Sequence, residues 1–299
     1  PINQAIFSIG AYLGNSIYWK MLTIKLVLLL GEISLLLLIQ KMLKAQKAPP
    51  QKILLYAFNP LIIIEICGNA HFEGLALLGV LATIYFIYIH KVGHAVVAFF
   101  IATLIKLNPL IYLPVMLMWF KKKVHSLIFS SVLLSATLIL IYKTEHIKNI
   151  QESLSYYFVK FEFNSGFYYL FRAIGYCLYG YNTISFIGPL LSALCVLIIL
   201  FISYRNKKTH LTDLFFYICL TYLLFSTVLH PWYLIPLIGL SIFTNWRFPM
   251  VWSFLIFLSY HVYEEKPYFE NLFLVYLEYI LLIIYVLIEI AVPKWLKAN

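Results

Sequence analysis

Charge is what this chain most lacks. Asp, Glu, Lys and Arg make up 11% of its 299 residues, against 63% hydrophobic residues; soluble domains carry about 25% and 45–50% respectively. A soluble fold of this length could not hide so much apolar surface, whereas a bilayer solvates it. Carboxylates are the scarcer sign, 12 against 22 Lys and Arg. The resulting +10 charge would suggest nucleic acid in a soluble protein. Here no basic face with interleaved aromatics exists, which argues against that class. Cysteine is sparse: Cys67, Cys177, Cys195 and Cys219 lie in apolar stretches without paired spacing. Neither a zinc site nor a disulfide framework is indicated, and the four are expected as small buried hydrophobes. No phosphate-binding loop, dinucleotide fingerprint or zinc-type His/Cys spacing occurs, so no cofactor and no metal is expected. Glycine and proline are ordinary at 12 each, and neither a repeat nor a low-complexity tract interrupts the chain. The first residue is proline, with no charged leader or cleavage site after it, and an upstream portion is expected.

What is present is apolar sequence cut by short basic runs. The composition predicts an all-α, polytopic transmembrane helical bundle, read as a single integral membrane domain over residues 1–299. Stretches 20–40, 124–142, 183–203 and 271–291 are each about long enough to span a ~30 Å core, and a shorter one covers 249–262. Basic residues mark the cytoplasmic side. These are Lys41, Lys44, Lys47 and Lys52; Lys121, Lys122 and Lys123; Arg205, Lys207 and Lys208; and Lys294 with Lys297.

Three apolar stretches, 53–90 from Lys52 to Lys91, 94–120 from Lys91 to Lys121 and 211–244 from Lys208 to Arg247, have both ends on the cytoplasmic side, so each must enter the membrane and return. Each breaks near its middle at a polar tip. The tips are Gly68-Asn69-Ala70-His71-Phe72-Glu73-Gly74, Lys106-Leu107-Asn108-Pro109 and His230-Pro231-Trp232-Tyr233. The arms around Lys106 reach only about half of a ~30 Å core, so that tip stays at membrane depth. Polar backbone there must be buried by protein or reached by a wet cavity. The layout therefore predicts about eleven membrane segments, including three broken hairpins, around an extracytoplasmic cavity. Residues 143–182 fall outside, with an aromatic stretch and Arg172 suited to the headgroup interface.

Ionisable residues at membrane depth default to function, because placing them there costs about 2.5–3.5 kcal/mol each on insertion scales. His71 and Glu73 are the sharpest pair, flanked by Gly68 and Gly74, and are the acid–base candidates. Lys106, Arg172 and His230 are the candidates for holding a phosphate. Asn69, Asn164, Trp232 and Tyr233 are expected to line the cavity. Each also has an ordinary structural use: an ion pair for Glu73, snorkelling for Lys106, a helix break for His230, interface anchoring for Arg172. Glu32, in the first long helix, is read as a packing residue.

With those residues in view, the chain resembles the polyprenol-phosphate-dependent GT-C glycosyltransferases, nearest the glycosyltransferase 87 and mannosyltransferase-like group. Asn59-Pro60-Leu61 with Gly68-Asn69-Ala70-His71-Phe72-Glu73-Gly74-Leu75 is similar to one segment of that family. Lys106-Leu107-Asn108-Pro109-Leu110 with Leu113-Pro114 is similar to its lysine hairpin. Phe163-Asn164-Ser165, Arg172 and His230-Pro231-Trp232-Tyr233 follow in the family's order, so the resemblance covers about residues 1–245. It implies a GT-C-like fold in a bacterial cytoplasmic membrane, a polyprenyl-phosphate sugar donor, and a lipid-linked or envelope glycan acceptor met on the extracytoplasmic side. It also implies a catalytic acid in an early extracytoplasmic loop, which would place the base upstream of Pro1 unless Glu73 serves. A competing class, a lipid-linked glycan flippase or secondary transporter, calls for inverted repeats around midplane breaks. The breaks here all open to one side, which suits an enzyme better.

Overall fold

The computed structural model describes residues 1–119, 148–149, 152, 160–205, 209–264 and 269–292. The expected span 124–142, most of the connection 143–159, Lys121–Lys123, Lys207, Lys208, Lys294 and Lys297 lie outside the described residues. Among the described residues 81% are helical and none forms a strand.

Among the described residues, three helices are long and apolar enough to cross a membrane: Ile17–Ala45, Ile184–Arg205 and Leu272–Ala291. They coincide with three of the expected spans. A fourth candidate, Pro50–Ala57 with Pro60–Gly68, is bent by 51° at its break. The cause of the bend is legible in the chain. Pro60 has no N–H to give the preceding turn, and Asn59 accepts from the Leu61 amide at 3.0 Å, capping a new helix. The expected eleven segments are not supported. Apolar runs read as membrane segments emerge as shorter helices, such as Glu73–Tyr88, Val92–Ile105 and Leu211–Phe225, each below the ~20 residues a crossing needs. The polar breaks divide the runs as expected, and the pieces between them do not each reach across.

The chain divides into two compact units, Pro1–Pro109 with Pro231–Asn299, and Leu110–His230. In the first, the helices Ile2–Leu13, Ile17–Ala45, Glu73–Tyr88 and Val92–Ile105 pack in succession. Small residues bring backbones together, as is usual where lipid supplies no hydrophobic drive between helices. A Cβ on Gly79 would stand 2.7 Å from the Ala102 Cβ, and one on Gly239 would stand 2.3 Å from Leu77. Gly79→Ala is therefore expected to lower stability by about 1–3 kcal/mol through overpacking. Thermal unfolding in detergent measures this, and adding Ala102→Gly is expected to restore part of the loss.

Every buried glutamate among the described residues belongs to this first unit: Glu32, Glu65, Glu73, Glu278 and Glu289. Two of them, Glu289 and Glu278, tie helices together through hydrogen bonds. Glu289 accepts from the Arg247 and Phe248 amides at 2.7 and 3.0 Å, capping the helix Phe248–Leu255. Glu278 accepts from the Trp252 indole at 2.9 Å. Glu32 sits against the Gly74 backbone, where a side chain would meet its carboxylate.

In the second unit the helices Gly166–Tyr179, Ile184–Arg205 and Leu211–Phe225 pack together, with Leu113–Trp119 against Ile184–Arg205. The cysteine expectation needs correcting. Cys195 and Cys219 are buried, but Cys67 and Cys177 are exposed on their helices. An apolar run does not say which way a helical side chain points, and a lipid-facing position is as apolar as a core one.

Candidate functional site: a carboxylate-rich cluster at the end of a π-helical turn

The first unit gathers six expected residues at one place: Asn69, His71, Glu73, Lys106, Trp232 and Tyr233. Its foundation is a residue that was not expected, Glu65. The helix begun at Pro60 widens into a π-helical turn over Ile63–Gly68, a feature common at functional sites. The Asn69 amide returns to the Ile64 carbonyl at 2.8 Å and the His71 amide to the Glu65 carbonyl at 3.0 Å. Between them Ala70 takes the left-handed conformation (φ 59°), ordinarily a glycine position. Holding alanine there costs roughly 1–2 kcal/mol. That cost fixes where His71 emerges, just before the helix Glu73–Tyr88 begins.

The Glu65 side chain is wholly buried and saturated with donors. It accepts from Asn69 Nδ2 at 3.1 Å and from the Tyr260 hydroxyl, and it pairs with His71 Nε2 at 3.2 Å. His71 stacks on the Trp232 ring, centroids 4.1 Å apart and planes 18° apart. Its other nitrogen, Nδ1, faces Glu73 Oε2 at 3.9 Å. Burial pushes the His71 imidazole below its ordinary pKa, against the opposing pull of Glu73 and with a smaller push from Lys106. Glu73 in turn is ion-paired with Lys106, whose ammonium also lies 4.7 Å over the Tyr233 ring. Lys106 reaches Glu73 because the helix Val92–Ile105 stops and Lys106 itself is extended (φ −148°, ψ 144°).

The cluster can therefore exchange a proton at His71 and offer a cation at Lys106, beside half-buried faces of Trp232 and Tyr233. Its charge balance differs from the expectation of a bare phosphate-binding cation. With His71 neutral, Glu65 and Glu73 outnumber Lys106, so an anion must displace Glu73 from Lys106 to bind there.

The remaining expected residues belong to the second unit. Arg172, on the helix Gly166–Tyr179, pairs with Glu162 at 3.1 Å and lies over the rings of Tyr169 and Tyr176. Glu162 also accepts from the Tyr168 hydroxyl at 2.6 Å and Asn182 Nδ2 at 2.9 Å. Burial first, and then Glu162, raise the Tyr168 pKa, so its hydroxyl remains a donor. Asn164 is wholly buried in the left-handed region (φ 43°). The neighbouring Phe163 exchanges backbone hydrogen bonds with Thr227 and Leu229, at 3.1 and 2.8 Å. This pairing sets the Phe163 ring 4.7 Å from His230. Asn164 and His230 are thus brought into one neighbourhood, while Arg172 is engaged by a carboxylate.

Glu65, Tyr260, Tyr168 and Asn182 were not foreseen as site residues. For Glu65 a signal was available: it is a lone carboxylate within Ile62-Ile63-Ile64-Glu65-Ile66. For Tyr260 none was, since one tyrosine among 24 carries no mark of its partner.

A family profile described as the N-terminal domain of an alpha-(1->6)-mannopyranosyltransferase matches residues 2–122. The matched region holds Glu65, His71, Glu73 and Lys106, and ends before Arg172, His230 and Trp232. No curated protein and no solved structure matches the chain.

Proposed function

We propose that this chain is a multi-pass membrane mannosyltransferase of the GT-C type, moving a mannosyl group from a polyprenyl-phosphate donor to a glycan acceptor on the extracytoplasmic side. One observation carries the reading. The region similar to a mannosyltransferase domain contains a His71–Glu73–Lys106 cluster centred on buried Glu73, and that cluster lies against Trp232 and Tyr233. Transfer to a hydroxyl needs a proton acceptor beside the acceptor sugar and a cation for the departing phosphate. His71 and Glu73 are assigned the first task and Lys106 the second, with Asn69, Trp232 and Tyr233 lining the sugar site. Arg172, His230 and Asn164, from the second unit, are further candidates for donor contact.

The test is transfer of radiolabelled mannose from polyprenyl-phosphate mannose to an α-1,6-linked manno-oligosaccharide in vesicles containing the full chain. Product that depends on the chain supports the reading. Lys106→Ala is expected to raise the donor KM at least tenfold while the protein still inserts. An unchanged donor KM would remove Lys106 from the phosphate role. The flippase alternative predicts labelled donor crossing the bilayer with no glycosylated product.

A further inference from the structure

We infer that Glu65 is a positioning residue that locks His71 in the tautomer with a bare Nδ1, making His71 rather than Glu73 the group that takes the acceptor proton. The inference rests on the transferase reading and assigns the proton-accepting role within it.

The argument begins with what an ionised carboxylate can do. It accepts hydrogen bonds and donates none. Glu65 is 0% exposed and already accepts from Tyr260 and Asn69, as an ionised carboxylate would, and its contact with His71 Nε2 at 3.2 Å is favourable when Nε2 carries the proton. In a neutral imidazole that leaves the lone pair on Nδ1. A buried carboxylate orienting a histidine in this way is the arrangement that serves the serine hydrolases, met here on unrelated architecture.

Three further features hold the ring in place. Trp232 covers one face at 4.1 Å, the left-handed Ala70 sets the backbone, and the His71 amide is tied to the Glu65 carbonyl. The titratable groups facing the ring among the described residues are Glu65, Glu73 and Lys106, with Tyr260 acting through Glu65. Glu73 is the less available of the two candidates, because its Oε1 is taken by the ion pair with Lys106. Nδ1 faces Glu73 across 3.9 Å, too far for a direct hydrogen bond. An acceptor hydroxyl at that gap can donate to Nδ1.

In the step this supports, the acceptor oxygen bonds to the anomeric carbon of the mannosyl group. The bond from that carbon to the phosphate oxygen breaks, its electron pair leaving with the polyprenyl phosphate. The hydroxyl proton passes to His71 Nδ1.

Two readouts on the full-length chain in detergent or vesicles test the inference. The first is nitrogen NMR of histidine-labelled protein, with the His71 signals assigned by subtracting a His71→Gln spectrum. The unsubstituted protein should show His71 protonated at Nε2 and bare at Nδ1. Glu65→Gln should lose that preference, because a carboxamide both donates and accepts. The second readout is mannosyl transfer from polyprenyl-phosphate mannose. Glu65→Gln is expected to lower kcat about 100-fold, within the range for a disabled general base, with donor KM within a few-fold. Glu65→Asp keeps the buried charge but draws it back by one methylene. It serves where Glu65→Gln does not fold, with the same direction of change in both readouts. A His71 protonated at Nδ1 in the unsubstituted protein overturns the inference, as does an unchanged kcat in folded Glu65 variants. Absence of any transfer by the unsubstituted chain removes the transferase reading and the base role with it. The tautomer shift with Glu65→Gln would then stand or fall separately.

Discussion

Glu73→Gln is expected to destabilise the protein, and adding Lys106→Met is expected to restore stability while raising the donor KM at least tenfold. Glu73 is 3% exposed and Lys106 26%, and the two are directly paired. Removing one partner of a buried pair strands the other charge, typically at a cost of about 3–5 kcal/mol. Lys106 keeps partial access to solvent, so the lower end of that range applies. Replacing both charges with apolar or neutral groups of similar size removes the stranded charge and is often close to neutral. Thermal unfolding of the two single variants and the double variant separates this structural part from chemistry. Transfer assays on the same samples should find the donor KM of the double variant raised at least tenfold, since the phosphate-binding cation is gone. Full activity in the stable double variant would show that the pair serves packing alone.

His71→Gln is expected to lower kcat by about 10²–10⁴-fold, the usual worth of general-base catalysis. It should also remove one limb of the pH profile. Burial depresses the His71 pKa, so the neutral, proton-accepting form prevails above a value lower than the ordinary histidine range. In the unsubstituted protein kcat should therefore rise with pH through that depressed value and level off at neutral pH. As pH falls the imidazole charges, Nδ1 acquires a proton, and turnover is lost. In His71→Gln the acid limb set by this group should vanish, leaving a low rate that no longer rises through that value. A full-sized acid limb in His71→Gln would assign it to another group.

Much of this arrangement was readable along the chain, and the reasons for what was not are physical. Glu73, His71 and Lys106 announced themselves because ionisable side chains are expensive in apolar surroundings. The break points at the Gly68–Gly74 tip, Lys106 and His230-Pro231 were readable because polar tips and proline end helices. The number of crossings was not, since periodicity locates apolar runs and says little about whether a short helix spans or stops within the bilayer. Pairing across the sequence was also hidden. Tyr260 meets Glu65 across 195 residues, and Glu73 meets Lys106 across 33. The neutralisation of Lys106 and Arg172 by Glu73 and Glu162 follows from those contacts, and it changes how an anion must bind.

The central claim, mannosyl transfer by this chain, is tested most directly by product analysis in sealed vesicles. Vesicles carrying the full chain receive polyprenyl-phosphate mannose and an α-1,6-linked manno-oligosaccharide, and the acceptor is weighed by mass spectrometry. The account predicts an acceptor heavier by one hexose, formed with the unsubstituted chain and at least about 100-fold more slowly with His71→Gln. An acceptor of unchanged mass, with donor redistributed between the leaflets at equal rates in both proteins, would contradict it.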